Sequence, residues 1–376
     1  MTRHDPLPSI VTHSRVRVIF GEGMLRRLGE CVVEEGGTRV LLVTDPGIVK
    51  AGHVERAAGS LREAGVEVTV FFGVAENPTT DHVAAGVRVA AELGINLIVG
   101  LGGGSSMDCA KGINFILTNG GQMLDYLGVG KATKPMLPLV AVPTTAGTGS
   151  EAQSFALITD PDTHQKMACG DEKALARVAI LDPDLIATVP RKVAAATGID
   201  AVAHAIETAG CKRRTDLSRR FSREAWLRLD RAFEMAMRDP TDASAREDML
   251  LGAHLAGVAI EKSMLGAAHS CANPLTAEFG VVHGVAVGLL LPHVVRFNTA
   301  TGPNPYDDLN ANPNALAGRV EAMLDAAGLA RRLSDLDITA TDFPRLAEMA
   351  AKQWTAQFNP REFGPAEALA IYTSAL

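Results

Sequence analysis

The chain has 376 residues, 47% of them hydrophobic and 21% charged, and a formal charge of −7 from 36 Lys and Arg against 43 Asp and Glu. At about 150 residues per domain this allows two or three domains with sizeable cores, and it excludes disordered, collagen-like and small disulfide-stapled classes. The charge is spread along the chain, and the one basic cluster (Lys212, Arg213, Arg214, Arg219, Arg220) is interleaved with Asp216 and Glu224, so it reads as a solvated helix face and not a nucleic-acid patch.

Mean hydropathy is only +0.12. The longest apolar stretch, residues 284–295, is interrupted by Pro292 and His293, short of the roughly 18 residues needed to span a bilayer. The first 20 residues carry no uninterrupted apolar core and place His, Asp and Pro early, so neither a secretory signal nor a transit peptide is expected and the location is read as cytoplasmic. The five cysteines (31, 109, 169, 211, 271) are odd in number with no CxxC spacing, which fits a reducing compartment and excludes a thiolate zinc site.

Short β-branched or apolar runs recur through the first half, at 16–20, 39–45, 66–72, 95–100, 137–143, 154–160 and 178–182. Segments between them, such as 47–63 and 81–93, space Val, Ala and Leu at three and four with charges between, the mark of amphipathic helices. Alternating strand and helix predicts a Rossmann-like α/β domain over residues 1–190, with a mostly parallel sheet covered on both faces. After Pro190 strand-like runs give way to Ala, Leu, Arg, Glu and Met over 193–237, 243–264 and 315–333, so residues 191–376 are expected to form an all-α domain. A cleft between two such domains is where a small-molecule site is expected.

Two loops in the first half are rich in glycine and hydroxyls. Gly100-Leu-Gly-Gly-Gly-Ser-Ser-Met-Asp108 follows a strand and opens a helix, where close backbone approach and free N–H groups favour a phosphate. It is not GxGxxG, because position 105 is Ser, and no GxxxxGK[ST] string occurs, which disfavours a nucleoside triphosphatase. The second loop, Pro143-Thr-Thr-Ala-Gly-Thr-Gly-Ser-Glu151, also follows a strand, at the end where open α/β sheets bind ligands. With Asp45 ending another strand and placed to bond ribose hydroxyls, a nicotinamide dinucleotide is indicated. A carboxylate there repels a 2′-phosphate and favours NAD over NADP.

In the second half, Gly198-Ile-Asp-Ala-Val-Ala-His-Ala-Ile-Glu207 sets Asp200 and His204 at i and i+4 on one helix face among apolar neighbours. Such a pair can share a metal ion or form a capping hydrogen bond; a buried carboxylate needs a partner in either case. His269 and His283 would lie about 21 Å apart on one straight helix, but Pro274, Gly280 and Gly284 are expected to break it and let both rings aim at one point. One carboxylate and three imidazoles suit Fe(II), Zn(II), Mn(II) or Co(II). The other histidines, His254 and His293 included, read as core residues.

In this order, GGGSSMD (102–108), AVPTTAGTGSE (141–151), Lys166 to ILDPDL (180–185), AATGIDAVAHAIE (195–207), the 269–298 block ending LPHVVRFN, and Asn359-Pro-Arg361 resemble the iron-containing (group III) alcohol dehydrogenases over essentially the whole chain. The resemblance implies a dehydroquinate synthase-like architecture, with NAD in the N-terminal domain and a catalytic divalent metal, Fe(II) or another ion such as Zn(II), in the helical one. It implies Asp200, His204, His269 and His283 as metal ligands, and Asp45, Asn77, Gly103, Gly104, Ser105, Asp108, Thr144, Thr145 and Lys166 as cofactor contacts. It further implies a homodimer or larger assembly. Four residues after His269, where many members carry a further histidine in the cleft, stands Asn273, which can bond substrate but cannot titrate.

The implied reaction is reversible oxidation of an alcohol to an aldehyde or ketone, a metal-bound alkoxide giving hydride to nicotinamide C4. Two other readings are an NAD- and metal-dependent lyase of the dehydroquinate synthase type and a non-catalytic metal- or nucleotide-binding protein. The lyase needs several Lys and Arg for an anionic substrate, and residues 266–298 hold only Arg296.

Overall fold

The computed structural model describes residues 11, 13–162 and 166–376. Of the first 20 residues, on which the expectation of no leader rests, residues 1–10 and 12 lie outside the described residues. The chain falls into two compact units: residues up to Thr145 with Ser150–Val189, and Ala146–Gly149 with Pro190–Leu376. Among the described residues no helix is long and apolar enough to cross a membrane.

Among the described residues the first unit holds nine strands: β1 (Arg17–Phe20), β2 (Arg39–Val43), β3 (Glu67–Phe71), β4 (Leu97–Gly102), β5 (Gly128–Val129), β6 (Leu139–Pro143), β7 (Phe155–Thr159), β8 (Lys166–Gly170) and β9 (Val178–Leu181). Its helices are α1 (Leu28–Glu34), α2 (Pro46–Lys50), α3 (His53–Glu63), α4 (Thr80–Glu92), α5 (Gly104–Asn119) and α6 (Pro183–Ile186). Six strands form a sheet in the order β1-β9-β6-β4-β2-β3, with every pair parallel. Strands β4, β6 and β9 are buried along their whole length, which is why they read as unbroken apolar runs without alternation.

From β2 the chain passes to β3 on one side and then to β4 on the other. The sheet order therefore reverses between β2 and β4, and in open α/β sheets ligands bind outside the carboxyl ends of strands at such a point. Asp45 follows β2, the glycine run ends β4 and opens α5, and Thr144 and Thr145 follow β6.

The expected run at 154–160 is a strand but belongs to a separate three-stranded sheet, β5-β8-β7, where β7 and β8 pair antiparallel. The expected helix over 47–63 is two helices, because Gly52 sits at φ 79 between α2 and α3.

The second unit is helical: α7 (Arg191–Gly210), α8 (Asp216–Arg238), α9 (Ala243–Glu261), α10 (Ala267–Phe279), α11 (His283–Thr299), α12 (Pro313–Ala327), α13 (Phe343–Ala351) and α14 (Pro365–Ser374). From Ala195 onward α7 is buried at every position but Thr197, enclosed by α8, α9 and α11. A helix buried all round shows no apolar stripe, in contrast to α8, whose Thr215 and Ser218 form a capping box at its start.

Of the three residues expected to break the 269–283 segment, only Gly280 does so, at φ 66 as the C-cap of α10. Pro274 lies inside α10, with the Tyr372 hydroxyl donating to the nearby Cys271 carbonyl at 2.6 Å. Gly284 lies inside α11, and its role is close approach: a Cβ there would meet the Ala196 carbonyl oxygen of α7 at 1.9 Å.

Because that neighbour is backbone, Gly284→Ala must push α11 off α7. The variant is expected to lose about 1–3 kcal/mol of stability, read as a lower midpoint in thermal or urea unfolding; an unchanged midpoint would show that the helices have room.

Candidate functional site

At the switch point of the first unit, Asp45 caps α2, its Oδ1 accepting from the amides of Gly47 and Ile48 at 2.9 and 3.2 Å. Its Oδ2 accepts from the Ser106 hydroxyl at 3.1 Å, which ties the end of β2 to the first turn of α5. Gly102 makes this possible: it sits at φ 150, and a Cβ there would come within 2.4 Å of Ser106 Oγ. The N-cap of α5, Gly103, has no side chain to occupy the helix-start amides, leaving the positive end of the dipole with backbone donors for an anion. Gly103 and Thr145 are neighbours, and Thr144 donates its amide to Gly102 O at 3.0 Å. Gly103, Gly104, Asp45, Thr144 and Thr145 are thus brought to one end of the parallel sheet.

Three further expected contacts have partners of their own. Asp108 is buried: its carboxylate accepts from Ser150 Oγ at 2.6 Å and the Leu157 amide at 3.3 Å, with Lys111 Nζ 3.9 Å away. Burial pushes this carboxyl up, and Lys111 works against the shift. Lys166 Nζ donates to Asn77 Oδ1 at 3.3 Å, with Asn77 in the left-handed region at φ 52.

In the second unit, Asp200, His204 and Glu207 share one face of α7, His269 lies in the first turn of α10 and His283 opens α11. The Nε2 atoms of His269, His204 and His283 lie 3.4, 3.5 and 4.0 Å from a single oxygen, Asp200 Oδ1. The rings of His204 and His269 are stacked, centroids 4.9 Å apart. Ligand atoms from Asp200, His269 and His283 all lie within 4.8 Å of one another. Asp200 and His269 are buried, while the His283 side chain is 29% exposed and leaves the cluster open on that side. Asp200 Oδ1 and His269 Nε2 have no hydrogen-bond partner of proper geometry. Buried polar atoms left so are costly, and one carboxylate oxygen ringed by imidazole nitrogens is a donor set that fits a divalent cation.

The electrostatics follow from burial against proximity. Burial alone would raise the Asp200 carboxyl, but the rings of His204, His269 and His283 outweigh it and hold it well below the usual carboxylate range. Burial pushes the His204 ring down, with Asp200 opposing. Burial would also lower His269, yet Glu207 on one side and Asp200 on the other raise it to about 9.

Sequence reasoning missed Glu207, which is buried and bonds the His269 Nδ1 directly. The available signal was its spacing, three residues after His204 on the same face. Asn273, on α10, donates its amide to Gln353 Oε1 at 3.0 Å. His254 is wholly buried on α9, and His293 accepts or donates at Ser374 Oγ, 3.1 Å away.

Residues 15–183 match the family described as iron-containing alcohol dehydrogenase, and residues 194–376 match the C-terminal part of the Fe-containing alcohol dehydrogenase family. The chain is 36% identical over 372 residues to the 1,3-propanediol dehydrogenase of Klebsiella pneumoniae, covering 95% of this chain and 96% of that protein. A crystal structure of 1,3-propanediol oxidoreductase superposes with a TM-score of 0.91 at 34% identity, covering 96% of this chain and 98% of that one. The sulfoacetaldehyde reductase of Bifidobacterium kashiwanohense, solved in complex with NAD+, superposes with a TM-score of 0.88 at 27% identity, covering 96% and 97%.

A ring held above its unfolded value contributes stability that is fully present below about pH 6.5 and lost as pH rises through about 9. In the presence of a chelator, the melting temperature of the wild type is therefore expected to fall more steeply between those pH values than that of His269→Gln. Parallel slopes would remove this assignment.

Proposed function

Because the chain belongs to the iron-containing alcohol dehydrogenase family, and so is an alcohol oxidoreductase, we propose that it interconverts a small primary or secondary alcohol and its carbonyl compound using NAD and a divalent metal, iron foremost. Residues 1–190 hold the dinucleotide in this reading and residues 191–376 the metal. The observation that carries it is the convergence of three imidazole Nε2 atoms on the otherwise unbonded Asp200 Oδ1.

Asp200, His204, His269 and His283 hold the ion. Bound there, a divalent cation supplies Lewis-acid polarisation of the alcohol oxygen, and NAD supplies the hydride acceptor. Asp200 contributes one negative charge, leaving a net positive site suited to an oxygen anion, while the three neutral imidazoles add none. The backbone of Gly103, Gly104 and Ser105 cradles the pyrophosphate at the start of α5. Asp45 accepts from ribose hydroxyls, held in place by Ser106, and repels a 2′-phosphate. Thr144 and Thr145 line the same sheet end, and Asn77 and Lys166 act as a bonded pair. Asp108 acts at one remove, bracing α5 from inside through Ser150.

Asn273 cannot carry a proton, so the alcohol proton leaves through water or a ribose hydroxyl, with Asn273 contributing at most an orienting hydrogen bond. A lyase acting on a phosphorylated sugar acid is disfavoured: Arg296, the one cation in 266–298, is already paired with Glu321 at 2.7 Å.

Chelation is expected to abolish NAD-linked alcohol oxidation, and added Fe(II) or Zn(II) to restore it; chelator-resistant turnover on an alcohol panel would overturn the metal's role. His269→Ala should fold yet lose bound metal and turnover together, and full metal content in that variant would refute the ligand set. Asp45→Ser keeps a capping oxygen for α2 and removes the charge. Its NADP-to-NAD preference is expected to rise about tenfold, or about 1.4 kcal/mol, and steady-state kinetics with both cofactors would show an unchanged ratio if the carboxylate had no part in selection.

A further inference from the structure

The start of α10 carries His269 and is capped by no residue of its own: its N-cap is Gly266, with no side chain to offer. Its amides are taken by residues from far along the chain. Glu207 Oε1 accepts from Gly266 N at 3.2 Å and Ala268 N at 2.8 Å, and Asn359 Oδ1 accepts from Ala267 N at 3.2 Å. Asn359 is itself held by Asn298, the two side-chain amides bonding reciprocally at 2.7 and 3.1 Å. Gly266 admits this approach, since a Cβ there would crowd Asn359 Oδ1 at 3.1 Å and Glu207 Oε1 at 3.2 Å.

The second oxygen of Glu207, Oε2, bonds His269 Nδ1. One buried carboxylate therefore fixes both the backbone that carries the ring and the ring itself, and it does so from α7, the helix that also carries Asp200 and His204. We propose that Glu207 is a positioning residue that makes His269 an Nε2 ligand: by accepting a hydrogen bond from Nδ1–H it keeps the ring proton on Nδ1 and leaves Nε2, 3.4 Å from Asp200 Oδ1, free to ligate an ion. The inference rests on the metal reading above and deepens it. A histidine that ligates through one nitrogen while donating the other N–H to a carboxylate is oriented and made more basic, and loss of such a partner lowers metal affinity about 10- to 100-fold.

Glu207→Gln separates this role from simple capping. A glutamine has one acceptor oxygen where the carboxylate has two. If that oxygen keeps the Gly266 and Ala268 amides, the side-chain NH2 faces Nδ1, which then becomes an acceptor and places the ring proton on Nε2, the wrong tautomer for a ligand.

The test is titration of the metal-free, full-length wild type, Glu207→Gln and His269→Ala with Zn(II), alongside Co(II) absorption spectra and thermal melts. The expected result is tight binding by the wild type, loss in His269→Ala, and a 10- to 100-fold weaker dissociation constant with an altered Co(II) spectrum in Glu207→Gln. A Glu207→Gln variant that melts lower but keeps wild-type affinity and spectrum would overturn the proposal and leave the metal site standing. A wild type that binds no metal would sink the site itself, and this role with it. Should Glu207→Gln not fold, the ring proton resonances of zinc-loaded wild type decide: a slowly exchanging His269 Nδ1–H supports the assignment, and its absence refutes it.

Discussion

Two carboxylates on one face of the buried stretch of α7 set the terms for the second unit. Asp200 and Glu207 sit on the stretch of α7 where every position after Thr197 is out of solvent, and each uncompensated buried charge costs several kcal/mol. The two are compensated differently. Glu207 is saturated by backbone amides and a ring N–H. Asp200 is compensated by the charge and dipoles of the surrounding imidazoles yet keeps one oxygen without a bonded hydrogen, the place where the proposed cation would add to that compensation.

This need shapes the packing around it. Gly284 brings α11 against the backbone of α7 so that the His283 ring reaches Asp200, and Gly266 lets the start of α10 meet Glu207. Such close approaches use residues without side chains because the object approached is a helix backbone or a buried carboxylate, neither of which can yield. The first unit handles charge in another way. There, the groups at the start of α5 and after β6 are mostly backbone amides and hydroxyls, and the nearby Asp45 carboxylate is anchored by a cap and by Ser106. Backbone donors suit a group as large and diffuse as a pyrophosphate, while side-chain donors in a dry interior suit a point charge.

Much of this was legible in the sequence because the relevant signals are local. All seven apolar runs became strands; β4, β6 and β9 are unbroken because parallel strands buried on both faces need apolar residues throughout, whereas β7 is only partly buried and pairs antiparallel. The i, i+4 spacing of Asp200 and His204 required only helix geometry. What escaped was set by tertiary contact. Strand β8 reads as Lys-Met-Ala-Cys-Gly, without β-branched residues, and exists because β7 supplies its partner. Pro274 looked like a break but is accommodated within α10, whose true end is the left-handed Gly280. Asp108 looked like part of the glycine loop, but a helical turn carries its carboxylate to Ser150 and Leu157 inside the unit. Glu207 carried no motif of its own, because its partners lie 59 to 62 positions away.

The cysteines show why the donor set contains no sulfur. Cys271 stands two residues from His269 on the same helix, close enough in sequence to compete for an ion. Thiolate is the ligating form, and burial, together with the nearby Glu207 charge, pushes the Cys271 thiol far above its usual value. The Cys109 thiol is held at about 12, by burial first and then by Asp108, and burial holds Cys169 at about 11. Burial is the larger cause at Cys271 and the Glu207 charge the smaller. Helix geometry acts in the same direction: two positions along α10 turn the Cys271 side chain about 200° from that of His269, to the other side of the helix, so the ring and not the sulfur faces Asp200.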